Sequence, residues 1–120
     1  MKKYLIIATL FLVLGITVAA QAAHFIQVSW TYVQGTDLAT GFNVYRSTTT
    51  GGPYAKLTAT PLAIATLTYQ DATGNGGTKY FYVVTAVDSL GVESANSNET
   101  SAIFLASSPS IPSGITAVAH

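Results

Sequence analysis

The chain is 120 residues long, has no cysteine, and balances five Lys and Arg against five Asp and Glu. That length supports one packed core rather than two, and without disulfides the core must hold by packing alone. Lys2 and Lys3 stand at the very start, so the remainder is slightly acidic and lacks the basic patch that would release counterions from a nucleic acid; a nucleic-acid partner is excluded.

Residues 1–22 read as an export signal. Lys2 and Lys3 precede an apolar run from Tyr4 to Val18, and the small-residue cleavage pattern Ala20-Gln21-Ala22 follows. The mature chain is expected to start near Ala23 or His24 and to be secreted to the extracellular side. The apolar run is shorter than the roughly 20 residues a spanning helix needs. No membrane association is therefore expected after cleavage, and no cysteine follows to carry a lipid anchor.

Past the signal, short alternating runs separated by Gly, Thr, Asn and Pro predict an all-β chain. Phe25 to Thr31 alternates Ile26, Val28 and Trp30 against Gln27 and Ser29, and Thr40 to Ser47 alternates Phe42 and Val44 against Asn43 and Tyr45. Short strands follow at Tyr54 to Leu57 and Leu67 to Gln70. After the glycine-rich turn at Gly74 to Gly77 comes the longest run, Lys79 to Asp88, then a turn at Ser89 to Gly91 and a last strand at Thr100 to Leu105. Phe25, Ile26, Val28, Trp30, Phe42, Val44, Leu67, Tyr69, Tyr80, Tyr82, Val84 and Ala86 are the predicted core.

In this order the runs resemble the second to last strands of the fibronectin type III fold. Trp30 stands at the place of the family's core tryptophan, and Tyr80, after Gly77-Thr78, matches the tyrosine that locks the corner before the sixth strand. Tyr45-Arg46-Ser47 with Gly51-Gly52-Pro53-Tyr54, and Gly91-Val92-Glu93-Ser94, resemble bacterial members. The likeness spans His24 to Phe104 and implies an immunoglobulin-like sandwich over residues 23–105. One departure is Gly74, where the family usually carries an apolar plug six residues before the corner tyrosine. The corner is expected to be looser than usual or filled from elsewhere.

In residues 106–120, Ala106 to Pro112 reads as a Ser and Pro linker. The following Ile111-Pro112-Ser113-Gly114-Ile115-Thr116-Ala117-Val118-Ala119 resembles the opening strand of a type III module, and no such segment lies between the cleavage site and Phe25. The expectation is a sandwich whose first strand is displaced to the C-terminal tail. The tail could be donated to a neighbouring copy, making a head-to-tail filament, could begin a second module of a longer protein, or could fold back or stay loose on its own body. Ile111, Pro112, Ile115, Ala117 and Val118 are the candidate donor-strand residues.

Chemistry is hard to assemble from the remaining residues. Nucleophilic catalysis needs a base within hydrogen-bond reach of the nucleophile, but the two histidines, His24 and His120, lie at the two ends of the mature chain, and the serines and threonines fall in turns and on outward strand positions. Asp37, Asp71, Asp88 and Glu93 fall in loops and strand ends where turn roles are expected, and neither calcium nor zinc has a ligand set. Gly74-Asn75-Gly76-Gly77 lacks the Lys and Ser or Thr of a phosphate loop and opens onto a strand. No catalytic residue, cofactor or metal is expected.

Period two along Lys79 to Asp88 sends Phe81, Val83, Thr85 and Val87 outward, and Tyr45 is expected beside them. Tyr45, Phe81 and Val83 are the candidate lateral contact. The expected function is a secreted, non-catalytic structural or adhesive module whose partner is itself, another extracellular protein or a glycan. The alternative, implied by the company that bacterial members of the family keep, is the N-terminal fragment of a multi-module extracellular protein, such as an accessory module of a carbohydrate-active enzyme.

Overall fold

The computed structural model describes the backbone of residues 5–16, 21–36, 38–109 and 111–120, with side chains from residue 24 onward. Lys2, Lys3, Tyr4, Val18, Ala20 and Asp37, named above, lie outside the described residues. All regular structure among those described is β: β1 (Leu5–Ile16), β2 (Gln21–Val33), β3 (Ala39–Ser47), β4 (Ala55–Lys56), β5 (Leu62–Ala63), β6 (Thr68–Asp71), β7 (Lys79–Asp88) and β8 (Thr100–Ile103). No helix among them is long and apolar enough to cross a membrane.

Two antiparallel sheets form, one in the order β1-β2-β6 and the other β4-β3-β7-β8, with β5 also pairing β3. The alternation predicted for β2, β3 and β7 sets the inner faces: Ile26, Val28, Phe42, Val44, Tyr82, Val84 and Ala86 are fully buried, and Trp30 and Tyr80 nearly so. Trp30 and Tyr32 both meet the Phe42 ring edge-on, with centroids 5.4 and 5.1 Å apart. Such contacts between aromatic rings add about 0.5–1.5 kcal/mol beyond area burial.

Two predicted core residues do not belong there. Phe25 is only half-buried, because it is the chain neighbour of Ile26 and period two turns it away. Leu67 is 39% exposed, since it precedes β6 and contributes its backbone instead: its carbonyl accepts from the Trp30 N–H at 3.0 Å. Ala39 and Phe104 join the core without having been expected there, and Tyr69 packs against it from a half-buried position.

The larger correction concerns the opening strand. The free side of β2 is not left for the tail, because β1 occupies it, pairing from Leu5 opposite Val33 to Leu14 opposite His24, with an irregularity before Ile16 meets Gln21. A short apolar run fits either a helix or a buried strand by pattern alone. Here a long neighbouring edge with unsatisfied backbone groups decides for the strand. The described residues after Ile103 form no strand, so Ile111, Pro112, Ile115, Ala117 and Val118 lie outside both sheets.

Candidate functional site

The corner before β7 forms as its tyrosine implies. Tyr80 Oη accepts a hydrogen bond from the Asn75 N–H at 2.8 Å, and Thr78 N–H donates to Asn75 O at 3.1 Å to close the turn. The plug missing at Gly74 is supplied by Phe104, which meets Tyr80 edge-on at 6.5 Å. The Phe104 main chain is tied down on both sides, accepting from Gly77 N at 2.7 Å and donating to Thr78 O at 2.8 Å.

Between the sheets lies a polar cluster that sequence reading missed. Arg46 on β3 follows Phe42 and Val44 on the inward side, and its Nη1 donates to Asp71 Oδ2 at 2.9 Å and to Thr73 Oγ1 at 3.0 Å. Tyr82 Oη donates to the same Asp71 oxygen at 2.7 Å, while Thr73 N–H and Oγ1 satisfy Asp71 Oδ1 at 3.0 and 2.6 Å. Arg46 also lies 4.4 Å over the Tyr80 ring, a cation–π contact. Burial by itself would raise the Asp71 carboxyl, but hydrogen bonds from Thr73, Tyr82 and Arg46 win and hold it below its ordinary value. Burial, reinforced by Asp71, pushes the Tyr82 hydroxyl up. The available signal was the inward phase of the chain's only arginine.

The outer face of the second sheet differs from the expected apolar patch. Tyr45 and Phe81 are half-buried, but Val83 is 2% exposed and Thr85 and Val87 are 3% exposed. Val83 therefore offers no lateral contact. The chain after the Ser89 to Gly91 turn folds back along β7, with Asp88 N donating to Val92 O, Ser94 N to Ala86 O and Ser97 N to Val84 O. Glu93 comes with it and lays its carboxylate on the face, where Oε1 accepts from Tyr45 Oη at 2.5 Å, Thr85 Oγ1 at 2.7 Å and Asn43 Nδ2 at 3.0 Å. Lys56 lies 5.8 Å over the Tyr45 ring and Lys79 5.4 Å over Phe81. Nearby, Glu99 accepts from Thr50 Oγ1 and Gly51 N at 2.7 Å each and from the Tyr54 hydroxyl.

These carboxylates are engaged as fixed acceptors. Burial would raise Glu93, but hydrogen bonds from Tyr45, Thr85 and Asn43 hold it low, and bonds from Thr50 and Tyr54 do the same for Glu99. Asp88 Oδ1 accepts from the N–H groups of Leu90 and Val92, both at 2.9 Å, the turn role expected of it. A glycosidase acid needs the opposite, a carboxyl held protonated near neutral pH. Among the described residues no three His, Cys, Asp or Glu side chains converge as a metal site would require.

The candidate donor residues stand apart from all this. Ile111 and Ile115 are 90% and 93% exposed, and Val118 is 75% exposed. The chain leaves the sandwich at a fixed point, because His24 Nδ1 lies 3.0 Å from Leu105 O, a contact that places a proton on Nδ1.

The fold and corner together define an immunoglobulin-like antiparallel sandwich of the type III class. The chain belongs to the fibronectin type III-like family: it superimposes on an Fn3-like protein from Clostridium thermocellum at 35% identity with a TM-score of 0.57, covering 78% of this chain and 84% of that one. No protein-family model matches it. It is also 44% identical over 77 residues to an amylopullulanase of Thermoanaerobacter thermohydrosulfuricus, a match to 64% of this chain but only 5% of that protein. A β-1,2-glucanase from Parabacteroides distasonis matches 70% of this chain with 11% of its own, at 27% identity and a TM-score of 0.57. The chain thus spans a small fraction of the enzymes it resembles.

Proposed function

We propose that this chain is an exported, non-catalytic accessory module of a protein that acts on polysaccharide. The observation that carries the reading is the proportion of the match: a 44% identical stretch forms 5% of an amylopullulanase, which makes it one module in a far larger enzyme. Asp71, Glu93 and Glu99 are each engaged as hydrogen-bond acceptors by neighbouring side chains, which supports a structural role for them. Lys2-Lys3, the apolar run and Ala20-Gln21-Ala22 support export. On this reading the half-buried rings of Tyr45 and Phe81 face the glycan or protein partner, since aromatic residues concentrate at the energetic centres of interfaces.

Electrophoresis of the mature chain through gels containing starch, pullulan or β-glucan, beside a reducing-sugar assay on the same polymers, tests this. No sugar release is expected, and retardation that weakens in Tyr45→Ala and Phe81→Ala identifies a glycan as partner. Unretarded migration assigns the module a spacer or protein-contact role. Hydrolysis by the isolated chain overturns the reading.

A further inference from the structure

Resting on the export reading above, we propose that the side of β2 opposite β6 is a strand-acceptor site which the leader segment fills before processing and which the Ser113 to Ala119 segment of a second copy fills afterwards. The sheet built on β2 has only β1 and β6 beside it, and β6 is 4 residues long against 13 for β2. β6 meets β2 only from Ile26 to Ser29. Once a cleavage after Ala22 removes β1, β2 keeps a hydrogen-bonded neighbour on its β6 side only, along Ile26 to Ser29. The N–H and C=O groups that β1 satisfied from Val33 to His24 then form an open template.

The geometry also selects the occupant. β1 shows that the edge takes an antiparallel partner, which starts opposite Val33 and finishes opposite His24. The chain's own tail departs from the finishing end, held there by the contact between His24 and Leu105. To enter in the same sense it must first travel the length of β2, about 30 Å at roughly 3.3 Å per residue. The connector from Ala106 to Ser113 reaches about 28 Å even when fully extended. A tail from another copy has no such crossing to make. Ile111, Ile115 and Val118 are among the most exposed apolar side chains described, and their segment forms no strand of its own. β-Augmentation would satisfy both the template and these side chains. Because donor and acceptor are different surfaces, the contact propagates instead of closing on a dimer.

The experiment is sedimentation velocity over a concentration series on the mature chain from Ala23, beside Ile115→Pro, with melting temperatures for both. Proline cannot donate to a ladder, and Ile115 is 93% exposed, so the substitution leaves the sandwich itself untouched. The mature chain is expected to rise by on the order of twofold or more in average mass with concentration. Ile115→Pro is expected to stay monomeric with a lower melting temperature, and a synthetic peptide of residues 113–120 should raise that temperature. Three results overturn the proposal: a monomeric mature chain with the same melting temperature as Ile115→Pro, a monomeric chain that Ile115→Pro destabilises, which assigns the strand in cis, or assembly that Ile115→Pro leaves intact.

Discussion

The Phe104 ring fills the space in front of Gly74: a Cβ placed on Gly74 would lie 2.2 Å from Phe104 Cδ2. The two residues are thus one packing unit, in which the space before the corner is filled by the chain just beyond β8. A glycine is required at this position by the close approach and not by a backbone angle, since its φ is not among the positive ones.

Exchanging the two contributions tests that unit. Phe104→Ala is expected to cost about 3–5 kcal/mol, the range for emptying a buried aromatic site, and Gly74→Leu alone about 1–3 kcal/mol through overpacking. In the double substitution the costs should fall short of their sum, as the introduced leucine side chain enters the vacated space. Denaturant unfolding of the four proteins measures the coupling, and strict additivity would show that the residues pack independently.

Removing the charge at the inter-sheet cluster has a signed pH consequence. Asp71 is held below its ordinary value in the folded state, so its contribution is present above the unfolded carboxyl pKa of about 3.9 and is lost as pH falls through the lower folded value. Asp71→Asn is expected to lose about 3 kcal/mol at neutral pH, the lower part of the range for a broken buried pair, because the Arg46 side chain retains 22% exposure. Thermal melts from pH 7 to pH 2 should show the wild type losing stability on acidification, with a shallower acid limb in the variant.

Tyr80→Phe isolates the corner hydrogen bond, since it deletes only the acceptor for the Asn75 N–H. The expected loss is about 1 kcal/mol, the net worth of one such bond plus part of the cost of a donor left dry. Hydrogen exchange at the Asn75 amide should accelerate in the variant more than exchange in the middle of β7.

On the outer face, burial and the bond to Glu93 push the Tyr45 hydroxyl up to about 12. A tyrosine whose folded value is raised contributes stability that is intact below its unfolded pKa of about 10 and lost as pH climbs through the folded value. Absorbance titration of tyrosinate should therefore show a late-ionising group that moves to lower pH in Glu93→Gln. An unchanged titration curve would remove Glu93 as a cause.

Periodicity was enough to place β2, β3 and β7 and to turn Ile26, Val28, Trp30, Phe42, Val44, Tyr82, Val84 and Ala86 inward, because neighbouring residues on a strand must face opposite ways. The corner tyrosine came from the resemblance to the type III family, and the structure shows its bond to Asn75, five residues earlier in the chain. What depended on residues distant in sequence could not be read there. Arg46 meets Asp71 only because two sheets stack, Phe104 reaches Gly74 only because β8 lies beside β7, and Glu93 reaches Tyr45 and Thr85 only because the chain beyond the Ser89 to Gly91 turn doubles back along β7. The apolar run from Leu5 to Ile16 is compatible with helix or strand on its own. Its state is fixed by the long backbone edge of β2, whose hydrogen-bonding groups are paired only when another strand lies against them.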